Sequence, residues 1–208
     1  MESKQELIDA YKTYLVTQKR RPISIRTFIE GGDVTEATFR TYYKSLNQLE
    51  NELIAQPFVR SLQAMSESPD FEAYGTYESL QAVFFTWIQE LETIREEVKL
   101  IEKAAFPSIT TPYYQRKTEQ LFTGFIQAIL KEGMDRGEVA SRPFISEKYA
   151  EALWLEARVL FGFWLNDNSA NREQTDAAVD KAVGFAYDLI RPNALDSGVD
   201  FVKFLLKK

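Results

Sequence analysis

Apolar residues recur at steps of three and four along most of this chain, and strict alternation never runs beyond a few residues. That periodicity predicts an all-α fold. Leu7, Ile8, Tyr11, Tyr14 and Leu15 define a first helix over 4–18, which the Lys19-Arg20-Arg21-Pro22 turn ends. Two short amphipathic segments follow, one carrying Ile25, Phe28 and Ile29, the other Phe39 with Tyr42 or Tyr43. They meet at Gly31-Gly32, backbone-permissive residues suited to a tight inter-helix turn. Val34 packs that turn, and Thr35 offers a hydroxyl cap to the second segment. Ser45 with Gln48 reads as a capping-box start for a fourth helix, running to about residue 66. Pro57 lies inside its pattern and is expected to kink or split it near Gln56. The stretch 66–76, with Ser68-Pro69-Asp70 and Gly75, is the clearest loop.

Beyond it, Leu80, Val83, Phe84, Trp87, Ile88, Leu91, Ile94, Val98 and Ile101 form one stripe, predicting a single helix over 77–104. The segment 106–112 breaks the pattern, and Pro112 opens the next helix, through Leu121, Phe122, Phe125, Ile126, Ile129 and Leu130 to Gly133 or Gly137. Ser146 is positioned to cap a helix reaching residue 165, whose last turns are apolar nearly all round. Asn171 with Gln174 starts another, to Ile190, with Ala178, Ala182 and Ala186 in a small-residue line that admits close helix approach. A short tail helix is expected over 199–206. The surplus apolar surface of the 146–165 helix and the alanine line of the 171–190 helix are more than one body covers, which predicts a homodimer built on them.

The 23–49 stretch has the layout of a helix-turn-helix, whose second helix enters the major groove. It resembles the DNA-binding region of TetR-type transcriptional repressors. Val34-Thr35 stands for that family's Val-Ser turn, Thr38-Phe39 for Thr-Leu, Tyr43 for the closing Phe, and Ser45 to Leu49 for the entry into the fourth helix. The chain departs from the pattern with Arg40 where a phosphate-contacting Tyr is usual, Leu46 for a Lys, and acidic Glu36 at a position often basic. The helix end Lys131-Glu132-Gly133-Met134-Asp135-Arg136-Gly137-Glu138 is similar to a recurrent feature of TetR-type bodies. The resemblance implies a three-helix head over 1–46 and a helical effector-binding and dimerisation body over 47–208. The function it implies is that of a ligand-responsive transcriptional regulator, a repressor acting as a homodimer on a palindromic double-stranded DNA operator. The alternative is a lipid-binding or accessory protein of the same fold that has lost DNA binding.

Charge sharpens this picture. The 208-residue chain has a net charge of −6, yet through Leu46 eight basic residues face six acidic ones, so the head is mildly basic and the acidic excess lies in the body. The candidate DNA contacts are Arg26, Thr35, Thr38, Arg40, Thr41, Tyr42 and Lys44. Threonine, arginine and lysine donate to phosphates and base edges, and Arg40 has the fork that reads guanine bidentately. The Lys19–Arg21 loop is either a phosphate contact or a solvated basic turn.

In TetR-type bodies the corresponding helices enclose a small-molecule site, so the resemblance implies an apolar or lipid-like effector. Phe84, Trp87, Phe122, Phe125, Trp154 and Phe161 are the candidate lining residues, each otherwise a core residue. Cysteine and histidine are absent, removing thiol chemistry, the commonest general base and the commonest zinc ligand. Glu92, Glu96, Glu97, Glu147, Glu151 and Glu156 read as solvated faces or salt-bridge partners. No catalytic residue, metal site or cofactor is expected, and no apolar run approaches the ~20 residues of a membrane span. The expected location is the cytoplasm.

Overall fold

The computed structural model describes residues 3–30, 32, 34–102, 110–193 and 196. Among these residues the chain forms nine α-helices and no strand. In chain order they are α1 (Lys4–Gln18), α2 (Ile25–Ile29), α3 (Glu36–Tyr42), α4 (Leu46–Glu67), α5 (Thr76–Glu92), α6 (Arg95–Ile101), α7 (Arg116–Asp135), α8 (Tyr149–Asn166) and α9 (Glu173–Ile190).

The head is built from capped short helices. Ser3, Ser24 and Thr35 each accept a hydrogen bond from a backbone N–H three residues on, satisfying donors that the helix start leaves orphaned. Helices this short are marginal alone, and here aromatic packing secures them. Phe28 of α2 meets Tyr11 of α1 edge-to-face at 5.1 Å, Tyr14 at 5.7 Å and Phe39 of α3 at 6.1 Å. Phe39 then contacts Tyr43 at 6.0 Å. Val34 is buried in the turn, as its position predicts. Gly32 donates to the Ile29 carbonyl, while Gly31 lies outside the described residues, as does the expected 199–206 tail helix.

Helix α4 carries the head into the body. Ser45 caps it by accepting from the Gln48 N–H, and Gln48 reaches back to the Lys44 N–H. Pro57 does not split it: α4 is one helix of 22 residues, about 33 Å long. The proline ring is itself buried, so packing against the body offsets the lost helix bond, and Ser61 donates its hydroxyl to the Pro57 carbonyl. Leu46, at the position of the family's lysine, is the first core residue of this helix.

The single helix predicted over 77–104 is two. It breaks at Thr93-Ile94, where Ile94 leaves helical geometry (φ −131°, ψ 20°) and buries its side chain. Arg60 of α4 stabilises the break, pairing with Glu90 at 2.6 Å and donating to the Thr93 hydroxyl at 2.7 Å. The turn aims Arg95 at the far end of α8, where it donates to the carbonyls of Trp164, Leu165 and Asp167. A cation there complements the negative pole of the helix. The apolar stripe keeps its spacing across the break, so periodicity does not reveal it.

Helix α7 lies close against α5. A β-carbon on Gly133 would stand 2.2 Å from the Thr76 hydroxyl, so this approach requires glycine. Gly137 turns the chain with φ +77°, and the Glu138 and Val139 N–H groups close on the Gly133 carbonyl. Glu138 then caps α5 by accepting from the Thr76 N–H at 2.6 Å.

Ser146 does not cap α8: it opens a short 3-10 turn, its hydroxyl bonding to Arg142. Nor does Asn171 cap α9. Asp167, buried, accepts from the N–H and hydroxyl of Thr175, and Ser169 accepts from the Gln174 N–H. Burial opposes ionisation of Asp167, but the bonds it accepts from Thr175 and from the Ser169 N–H outweigh it and hold its carboxyl well below the usual carboxylate range.

Candidate functional site

The outward side of α3 and the residues flanking it carry most of the predicted nucleic-acid contacts. Arg40, Thr41 and Lys44 are exposed and Thr38 half-exposed, with exposed Arg26 on the neighbouring α2. Thr35 sits at the start of α3, where its hydroxyl holds both the N–H and the hydroxyl of Thr38. Thr41 turns its hydroxyl back to the Ala37 carbonyl. Tyr42 is half-buried against the core, so its ring serves the head's packing first.

Arg40 departs from the expected free fork. Its Nε and Nη2 lie 3.2 and 3.1 Å from one oxygen of Glu36, and its Nη1 donates to the Lys44 carbonyl at 2.8 Å. The Lys19–Arg21 loop divides in the same way. Lys19 and Arg20 are exposed, whereas Arg21 folds inward to Glu50.

Glu50 is the residue that sequence reading passed over. It is fully buried on α4, accepting from the Tyr11 hydroxyl, from Arg21 Nε and Nη2 at 2.5 and 3.0 Å, and from the Tyr113 hydroxyl at 2.8 Å. Arg21 also donates to Asn47 at 2.6 Å and lies 5.8 Å from the centre of the Tyr113 ring. Burial, then the Glu50 charge, pushes the Tyr11 phenol far up, and burial with the Glu50 hydrogen bond does the same for Tyr113. Both tyrosines therefore stay donors at every physiological pH. The signal was available, because Glu50 interrupts the apolar face formed by Leu46, Leu49, Leu53 and Ile54.

Two residues along α4, Glu52 makes a second tie. Lys4 of α1 is 2.9 Å from one of its oxygens and Lys117 of α7 is 2.7 Å from the other. Burial opposes its ionisation, but the two lysines together hold its carboxyl below the usual range.

In the body, five of the six predicted pocket residues gather between α5, α7 and α8. Phe122 is the hub, with ring centres 5.6 Å from Phe84, 6.0 Å from Trp87 and 5.4 Å from Trp154. Trp87 also faces Trp154 and Phe161, each at 6.2 Å. Phe125 stands apart, half-buried and stacked on Phe71 at 6.2 Å. The cluster is apolar with a few polar edges. Trp154 donates to the Thr111 hydroxyl at 2.9 Å, Thr111 donates to Glu119 at 2.7 Å, and the buried Trp87 indole N–H has no hydrogen-bond partner. Two open clefts lie elsewhere, one of about 630 Å³ beside Tyr77, Glu138 and Tyr187, the other of about 440 Å³ beside Phe85, Glu92 and Arg172. Neither is lined by the six residues.

The carboxylates predicted to be solvated divide. Glu96 and Glu151 pair with Lys99 and Lys148 on exposed faces. Glu92 instead accepts from the Trp164 indole and from Arg172, and Glu97 is buried. Glu156 is half-buried with one oxygen lacking a partner, and burial raises its carboxyl to about 7. Among the described residues no group of acidic side chains is placed to hold a metal ion, and no helix is long and apolar enough to cross a membrane.

Residues 79–205 match the family model of the tetracycline repressor-like C-terminal domain. A crystal structure from Shewanella sp. PV-4, described as that of a tetR family transcription regulator, superposes with a TM-score of 0.62 at 16% identity, covering 91% of this chain and 98% of its own. A protein of unknown function from Rhodococcus sp. RHA1 superposes with a TM-score of 0.55 at 13% identity, covering 91% of this chain and 95% of its own. At such identities these two structures share the fold with this chain. No curated protein matches the sequence. The family model spans more than half of the chain and covers its α5–α9 body, and the chain accordingly belongs to the tetracycline repressor-like, or TetR, family of transcription regulators.

Proposed function

We propose that this protein is a ligand-responsive repressor that binds a two-fold DNA operator as a homodimer and releases it on taking up an apolar or lipid-like effector. The observation that carries the reading is the head itself. A capped α3 is held by the Phe28–Phe39 contact so that its Thr38, Arg40 and Thr41, with Lys44 just past its end, face outward, in reach of a major groove.

The dimer is supported by α8 and α9, which leave Leu155, Val159, Phe163, Phe185 and Leu189 each more than two-fifths exposed on adjoining helices. Large apolar side chains grouped in this way mark an interaction surface, and a second copy offers a self-complementary one. The effector is supported by the aromatic cluster and by the unpartnered Trp87 N–H within it, a polar group that a ligand acceptor would satisfy.

A second reading, a lipid-binding or accessory protein that no longer binds DNA, is favoured by Arg21 and Arg40 both being committed to glutamates. Native mass spectrometry of the purified protein, followed by titration of duplex DNA with and without the extracted ligand, separates the two. Ligand-sensitive DNA binding supports the repressor; a bound lipid with no DNA binding at low salt supports the second reading.

A further inference from the structure

We propose that Glu50 is the joint coupling the body's aromatic cluster to the basic loop ahead of α2, with Tyr113 as its input and Arg21 as its output. A fully buried carboxylate is tolerable only while its lone pairs are satisfied. Glu50 meets that demand with donors from three separate parts of the chain: Tyr11 in α1, Arg21 in the loop after it, and Tyr113 in the turn before α7. Because they share one acceptor, displacement of one donor must be answered by the others.

The input side reaches the cluster through a short run of direct contacts. Tyr113 stands two residues after Thr111, whose hydroxyl accepts from Trp154 at 2.9 Å and donates to Glu119 at 2.7 Å. Trp154 packs on Phe122 at 5.4 Å and Trp87 at 6.2 Å. A molecule entering among these rings moves Trp154 or Thr111 first, then the short turn bearing Tyr113. On the output side, Glu50 determines whether the Arg21 guanidinium lies against α4 or extends with exposed Lys19 and Arg20. The Glu52 tie runs alongside, but Lys4 and Lys117 are each at least a third exposed, so solvent screens it and it serves as the weaker strut.

Contiguity alone does not establish coupling; a reciprocal response does. The inference goes beyond the repressor reading and its test needs neither DNA nor effector, so the two stand or fall separately. Hydrogen exchange of the full-length protein is compared with Tyr113→Phe, which removes one hydroxyl, and with Arg21→Gln. Tyr113→Phe is expected to speed exchange of amides in 7–21 by about ten- to a hundredfold, the factor for one lost hydrogen bond to a charged group. Arg21→Gln is expected to do the same to amides in 113–118. Changes confined to the immediate surroundings of each substitution, or spread evenly through α5, α8 and α9 as in global destabilisation, overturn the proposal.

Discussion

Arg40 and Glu36, one turn apart on α3, are closed on each other, Nη2 to Oε1 at 3.1 Å. The side chain best suited to read a base is thus occupied within its own helix. The pair is 51% and 57% exposed, so it contributes only about 0.2–1 kcal/mol and DNA can displace it. Its cost falls on affinity, since breaking it leaves Glu36 facing the phosphates.

The first prediction follows from that geometry. Glu36→Ala should free Arg40, tighten binding to non-specific duplex and steepen the salt dependence by about 0.9 in log–log slope if Arg40 then neutralises one phosphate. Fluorescence anisotropy against potassium chloride measures both. An unchanged slope and affinity would show that Arg40 stays outside the interface.

The aromatic cluster makes a stability prediction. Phe122 is fully buried among four rings, so Phe122→Ala should cost about 3–5 kcal/mol in urea unfolding. Phe125 is half-buried beside Phe71, and Phe125→Ala should cost no more than about 2 kcal/mol. Equal costs for the two would contradict the packing described.

The exposed apolar faces of α8 and α9 predict a dimer at micromolar concentration in sedimentation. Ala182 lies half-buried on α9 beside that surface, and Ala182→Glu should yield monomer or aggregate by placing a charge in it. A wild-type monomer, or a dimer indifferent to the substitution, counts against this interface.

Glu156 predicts an inverted pH dependence. Burial raises its carboxyl from the ordinary 4.5 to about 7, so the folded state holds a proton that the unfolded chain has released. Its contribution therefore falls as pH rises from about 4.5 and is fully unfavourable above about 7. Discounted for partial exposure, the loss is about 1–2 kcal/mol. Glu156→Gln should remove this component, read as urea midpoints at pH 5 and 7.5; identical pH slopes in the two proteins refute it.

Much of the fold was legible because it rests on local chemistry. Thr35 and Ser45 cap the helices that their sequence positions imply, and Val34, Phe28 and Phe39 pack the head as their spacing requires. What stayed hidden depends on distant partners. The break after α5 preserves the three-four spacing and is stabilised by Arg60 from another helix. Asp167 replaces Asn171 as the cap of α9 because Arg95 from α6 gathers the α8 end. Arg21 read as either a phosphate contact or part of a solvated basic turn, since a basic run carries no mark of the buried carboxylate that holds its last member. Helical phase marks Phe84, Trp87, Phe122, Trp154 and Phe161 as inward-facing, while their packing on one another, and the separate seat of Phe125 on Phe71, belong to tertiary structure.

The central claim, that this divergent head reads a two-fold operator, is tested most directly by selecting bound sequences from random duplexes at low salt without effector. The account predicts enrichment of a site whose two related halves lie about one helical turn apart, ~34–36 Å, matching two α3 helices across a dimer axis. Thr41→Ala or Lys44→Ala should then weaken that site. A selection that returns no enriched two-fold site would contradict the account and leave the lipid-binding reading in its place.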